Sequence, residues 1–171
     1  MTRYAAKTEV PAEKSRMEIE RTLTRYGADQ FIYGWQAGGA ILGFRAKGRQ
    51  VKFMLALPDR DDKAFTHYRQ GSYLKPRTEN AAAEQYEQAC RQRWRALALV
   101  IKAKLEAVES GITCFEDEFL AHIVLPTGQQ VGEWLRPQLR LAYERGDMPA
   151  LLPAPEQRIP APQGTGGPGR P

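Results

Sequence analysis

Residues 78–111 read TENAAAEQYEQACRQRWRALALVIKAKLEAVESG, and the spacing of their apolar side chains decides how the chain folds. Turning 100° per residue from Trp94, the residues Cys90, Leu97, Ile101, Leu105 and Val108 fall within about 60° of it, the pattern that buries one stripe of a 3.6-residue helix. Ala81 to Ala83, Ala96, Ala98 and Ala103 add helix propensity, and Gly111 supplies a stop because glycine takes the left-handed conformation at a helix C-terminus. The expected helix is about 45 Å long, so it is the spine of a small domain. Arg91, Arg95 and Lys102 edge the buried stripe on one flank and Arg93 and Lys104 on the other, with no acid between Arg91 and Lys104.

Upstream of this helix the period changes from 3.6 to two. The runs QFIYGWQ, AILGFRA and QVKFMLALP from Gln30 to Pro58 are rich in β-branched and aromatic residues and are separated by Gly38-Gly39 and Lys47-Gly48. They predict a three-stranded antiparallel meander with Val51, Phe53, Leu55 and Leu57 facing the core. A short edge strand over Arg3–Val10 is a possible fourth member. Between them, Glu13, Ile19, Leu23 and Tyr26 mark an N-terminal helix that opens near Pro11 and ends at Gly27. Asp59–Arg77 reads as a polar connector, of a length that in compact domains is usually functional or disordered.

Downstream, Thr113-Cys-Phe-Glu116 and Thr127-Gly-Gln-Gln130 have capping-box spacing and predict two short helices. The first turns Phe119, Leu120 and Ile123 inward; the second turns Val131, Trp134, Leu135, Leu139 and Leu141 or Ala142 inward, bends near Pro137 and ends at Gly146. Strands followed by helices indicate an α+β domain rather than a parallel α/β sheet. That domain is expected over residues 1–150, and residues 151–171 are too rich in proline and glycine to order themselves.

Two cysteines, Cys90 and Cys114, give neither a disulfide framework nor a four-ligand zinc site. No run approaches the ~18 apolar residues of a membrane span, and the N-terminal residues lack an apolar signal core. The expectation is a cytoplasmic protein without cofactor or metal. Glu118 and His122 stand four apart, as two metal ligands would. Acids in a first helical turn and a histidine beside an apolar face also have an ordinary structural reading, which is preferred. His67 and His122 lie in no nucleophile context, and AGGAILG is followed by no Walker lysine, so no enzyme is indicated.

The net charge of +5 is unevenly spread: Arg45–Lys104 holds fourteen Lys/Arg against six acids, and Glu106–Asp147 three against eight. On the first strand Phe31, Tyr33 and Trp35 project to one side, and Arg45, Arg49 and Lys52 lie on the neighbouring strands. Rings interleaved with cations suit single-stranded nucleic acid, because bases stack on rings while cations neutralise phosphates. The same row also suits packing under the long helix. Arg69, Lys75 and Arg77 of the connector and the Arg91, Arg95 and Lys102 flank complete the candidate surface. The leading expectation is non-catalytic binding of nucleic acid, chiefly single-stranded DNA. The alternative is a protein-interaction module or inhibitor of a host factor that docks through the tail or through the acidic C-terminal helices, with Glu106, Glu109, Glu116, Asp117, Glu118 and Glu133.

The segments EKSRMEIERTLTRYGADQF, QACRQRWRALALVIKAKLEAVESGITCFEDEFLAHIVLP and VGEWLRPQLRLAYERGDMPALLP together resemble a family of small proteins of unassigned activity encoded by tailed bacteriophages and prophages. The resemblance covers most of residues 4–153. It implies a phage product in a bacterial cytoplasm, expressed with DNA-handling genes, and it brings no site residues with it.

Overall fold

A computed structural model describes residues 8–36 and 38–146 together with Ala5. The chain is α+β, and the described residues form five helices, a three-stranded antiparallel sheet and a separate two-stranded sheet. It divides into two compact units, Met1–Leu135 and Arg136–Pro171. The first contains α1 (Ala12–Arg25), β1 (Gln30–Gln36), β2 (Gly39–Ala46), β3 (Arg49–Ala56), α2 (Lys63–Thr66), β4 (His67–Gln70), β5 (Tyr73–Pro76), α3 (Glu79–Glu109) and α4 (Phe115–Phe119). A 3₁₀ turn over Leu120–His122 and the first residues of α5 (Val131–Arg145) complete it. In the second unit the described residues are the remainder of α5, where Arg140 and Glu144 pair one turn apart, and Gly146.

The long helix α3 forms without a break over 31 residues. Thr78 caps its start, its hydroxyl accepting from the Ala81 N–H. At its end Gly111 has φ +70°, the Gly111 N–H bonds the Val108 carbonyl and the Ile112 N–H bonds the Ala107 carbonyl, so the orphan carbonyls of the last turn are satisfied. Its buried stripe is Trp94, Leu97, Ala98, Ile101 and Leu105, as the periodicity predicts, with Cys90 and Val108 half-buried at its ends.

The meander has strand order β1-β2-β3. Between β2 and β3, Lys47 and Gly48 both take positive φ, 49° and 72°, as a two-residue type I′ turn requires. Ala40, Leu42, Phe44, Val51 and Phe53 form the buried face of the sheet, and Ile19 and Leu23 of α1 join the α3 stripe against it. Phe44, Phe53, Phe115 and Phe119 cluster at one end with ring centroids 4.7–6.5 Å apart. Outside the core, α1 and α3 are stitched by Arg95 to Glu18 and by the Tyr26 hydroxyl, which donates to Glu106 at 2.6 Å.

The far edge of β3 is covered by the chain that follows α4. The Val124 N–H donates to the Gln50 carbonyl at 2.8 Å, and the Gln130 side-chain amide donates to the Lys52 carbonyl at 2.7 Å. Gly132 lets α5 start close to this segment, since a Cβ there would stand 2.7 Å from the Ala121 carbonyl oxygen.

Four sequence expectations are corrected. Asp59–Arg77 is not a plain connector: it folds as α2 and the β4–β5 hairpin, which turns at Gly71-Ser72 with Gly71 at φ +60°. Thr113 does not cap α4, because the helix starts one residue later and Cys114 occupies the cap position without a side-chain bond. Thr127 does not cap α5 either. It precedes a turn at Gly128, and the capping contact is made by Glu133, whose carboxylate accepts from the Gln130 N–H at 3.1 Å. Leu120 and Leu139, expected to face inward, are exposed. The possible edge strand over Arg3–Val10 falls largely outside the described residues, and Thr8–Val10 are not strand. The proline-rich stretch 151–171 lies wholly outside them.

Candidate nucleic-acid interface

The register of the meander settles which way the aromatic row points. Phe31 stands opposite Phe44, Tyr33 opposite Leu42 and Trp35 opposite Ala40, and directly opposed residues of an antiparallel pair share a face. All three rings therefore lie on the side that faces the helices. Phe31 and Tyr33 pack against the core, Tyr33 meeting Trp94 edge to face at 5.4 Å. Arg16 closes over this contact, donating to the Tyr33 hydroxyl at 2.6 Å with its guanidinium above both rings. Burial raises the Tyr33 pKa, and the nearby Arg16 opposes that shift.

Two of the three sheet cations expected beside that row are elsewhere. Gly43 opposes both Ile32 and Lys52, and Arg45 opposes Gln30 and Gln50, so Arg45 and Lys52 lie on the outer face of the sheet. Arg45 is also engaged: its guanidinium forks onto Asp29 at 2.7–3.1 Å, and that contact holds the Asp29 carboxyl below its usual pKa. Arg49 stands 3.8 Å from Glu116. On α3, Arg91 donates to Gln88 and lies 3.7 Å from Glu87, Arg95 is paired with Glu18, and Lys102 is exposed. The structure thus separates the Phe31, Tyr33 and Trp35 row from Arg45 and Lys52, while Arg49, opposite Ala46, shares its face; Arg45, Arg49 and Arg95 serve to join elements.

Trp35 is the exception among the three rings, 63% exposed at the end of β1. It stands between two grooves, of 330 Å³ and 490 Å³, that both include Tyr86. The first groove holds Arg16 and Arg91 against Glu13 and Glu87, and the second holds Arg60 against Asp59. Cation and carboxylate cancel in each, which removes the pull a phosphate chain would need. Cys90, in the first groove, is a poor nucleophile because burial raises its pKa.

The β4–β5 hairpin is different. Residues 63–78 contain Lys63, Arg69, Lys75 and Arg77 and no acid. Every strand residue of the hairpin except His67 is exposed. Tyr68 opposes Lys75 and Gln70 opposes Tyr73, so one face of the ribbon carries two rings and an ammonium group. Tyr73 is 76% exposed. Arg77 reaches back over the Tyr68 ring at 5.7 Å while its Nε donates to the His67 carbonyl. Arg69 and Lys75 make no ion pair with any described residue. A two-stranded ribbon is marginal on its own, and this one is anchored at its base, where the Arg77 N–H bonds the Thr66 carbonyl and Phe65 of α2 meets Tyr86 of α3 edge to face at 6.0 Å. The sequence names Arg69, Lys75 and Arg77, and the structure adds Tyr68 and Tyr73. The missed signal was Gly71-Ser72, a pair suited to a two-residue hairpin turn.

The acids proposed as an alternative docking surface are partly spent inside the fold. Glu106 accepts from Tyr26, Glu116 faces Arg49, and Glu118 pairs with Lys104 at 3.0 Å. The Glu118 and His122 spacing is likewise structural, since Glu118 turns to Lys104 and the His122 ring stacks on Phe53 with centroids 4.1 Å apart. Among the described residues no three His, Cys, Asp or Glu side chains gather where they would hold a metal, and no helix is long and apolar enough to cross a membrane. Compared with protein-family models, curated proteins and solved structures, the chain matches none.

Proposed function

We propose that this is a non-catalytic nucleic-acid-binding protein that holds single-stranded DNA on the β4–β5 hairpin, as a phage-encoded product acting in the cytoplasm of a bacterial host. The observation that carries the reading is one exposed ribbon face that gathers Tyr68, Tyr73 and Lys75, with Arg77 over the Tyr68 ring, Arg69 on the reverse side of the ribbon and no acid within residues 63–78. Bases have a π-face whatever their identity, so two exposed rings grip a strand without reading its sequence, and the cations neutralise the phosphates between them. The ribbon is anchored through α2 on α3, and the aromatic row of the meander takes no part.

Fluorescence anisotropy of a labelled oligonucleotide across a salt series tests the assignment. Lys75→Glu combined with Arg77→Glu is expected to abolish most binding and to flatten the log affinity against log salt slope by about 1.4, two phosphate contacts at ~0.7 each for a single strand. Tyr73→Ala should weaken binding by about 1–3 kcal/mol and leave that slope unchanged, because a ring neutralises no phosphate. Wild-type protein that fails to bind at low salt, or binding indifferent to both variants, defeats the proposal.

A further inference from the structure

The strand β1 carries an edge that nothing among the described residues covers. The sheet runs β1-β2-β3, and among the described residues β1 bonds only to β2, whereas the Gln50 and Lys52 carbonyls on the outer side of β3 are taken by Val124 and Gln130. Folded proteins guard an open edge with lysine, proline, a bulge or a very short strand. Strand β1 has none of these: its seven residues, QFIYGWQ, contain neither a charge nor a proline and pair with β2 in unbroken register. Ile32 on the outer face and Trp35 on the inner face are 66% and 63% exposed.

We propose that β1 pairs antiparallel with β1 of a second copy of this chain, about a two-fold axis through Tyr33, joining two meanders into one six-stranded sheet. The strand is close to a palindrome in character. Centred on Tyr33, Gln30 faces the partner's Gln36, Phe31 faces the partner's Trp35, and Ile32 faces the partner's Gly34. Amide meets amide at both ends, ring meets ring on the helix-facing side, and a branched chain lies over a glycine on the outer side. Gly34 has room for it, since a Cβ built there meets nothing within 4 Å. Directly opposed residues share a face, so a centre on a residue keeps odd positions against odd ones and sets the helices of both copies on the same side of the joint sheet. A centre between residues would turn one copy over and expose its aromatic row. Closed two-fold pairing of one self-complementary patch is also the commonest form of soluble homo-oligomer.

Light scattering on a size-exclusion column, over a concentration series, reads the mass directly. The wild-type chain is expected at twice its 19.3 kDa. Ile32→Lys with Gly34→Lys places like charges directly opposite one another twice per pair, on positions outside the core, and is expected to elute at the single-chain mass with an unchanged circular dichroism spectrum. Ile32→Glu with Gly34→Glu should behave the same way alone. An equimolar mixture of the two should recover the double mass as a one-to-one pair. A wild-type chain that stays at the single mass throughout overturns the proposal, whatever the variants do. So does a double mass retained by the folded lysine variant, or a mixture that fails to associate.

Discussion

The meander and the hairpin are built from the same materials, tyrosines beside arginines and lysines on antiparallel strands, and they end in opposite states. In the meander, Tyr33 lies against Trp94 under an Arg16 lid, and Arg45 is spent on Asp29. In the hairpin, Tyr68, Tyr73, Arg69 and Lys75 are all exposed and no carboxylate lies within residues 63–78. Composition alone therefore does not distinguish a core from an exposed surface. What distinguishes them is whether a second layer covers the face and whether acids sit within reach of the cations.

The sharpest way to break that contrast is to remove a large ring from each region and follow urea unfolding. Trp94→Ala empties a fully buried site and is expected to cost about 3–5 kcal/mol, whereas Tyr73→Ala should stay within about 0.5 kcal/mol of wild type. Equal losses would mean that the hairpin is core and not a free surface. A smaller effect tests how the meander is sealed. Gly132→Ala puts a methyl group 2.7 Å from the Ala121 carbonyl oxygen, backbone that cannot swing away, and should cost about 1–3 kcal/mol by pushing α5 off the segment that covers β3.

The smallest expected effect concerns the spent cations. The Asp29 carboxyl has its pKa lowered in the folded state by Arg45, so its contribution is fully present above the unfolded value of about 3.9 and is lost as pH falls through the folded value. Asp29→Asn should lower the melting temperature slightly near neutral pH, and the gap from wild type should close on acidification below about pH 4. A gap independent of pH would show that Arg45 gains nothing from the charge. No comparable pH response is expected from Arg69→Gln, which faces no acid.

Much of this architecture was legible because it rests on long periodic signals. The α3 stripe from Trp94 to Leu105 repeats at helical spacing over three turns, and Lys47-Gly48 is a turn pair that fixes β2 against β3. The side on which Phe31, Tyr33 and Trp35 fall needed one more step. Alternation places the three together but does not say which layer they face. The close spacing of β1 and β2 does: with Gln36 opposite Gly39, Tyr33 must meet Leu42, and Arg45 is sent to the other face. The hairpin escaped for the opposite reason. A ribbon without a buried face has no apolar alternation to detect, so only its turn residues mark it. The capping boxes at Thr113 and Thr127 failed because the spacing of Ser/Thr and Glu/Gln does not fix where a helix starts; at α5 the reciprocal acid is Glu133, one turn further on.

The two edges of the meander are unequal, and that inequality sets a limit on growth. With the Gln50 and Lys52 carbonyls already occupied by Val124 and Gln130, the first half of β3 offers no place for another strand to add. In the proposed pair each copy brings one open edge and one partly covered edge, so the joined sheet presents a partly covered edge at both ends, which opposes further growth. The buried amide of Gln130 is thus a terminator, and cutting it back in Gln130→Ala would reopen one of the two backbone carbonyls it helps to keep closed, turning a finite particle into a chain that can lengthen.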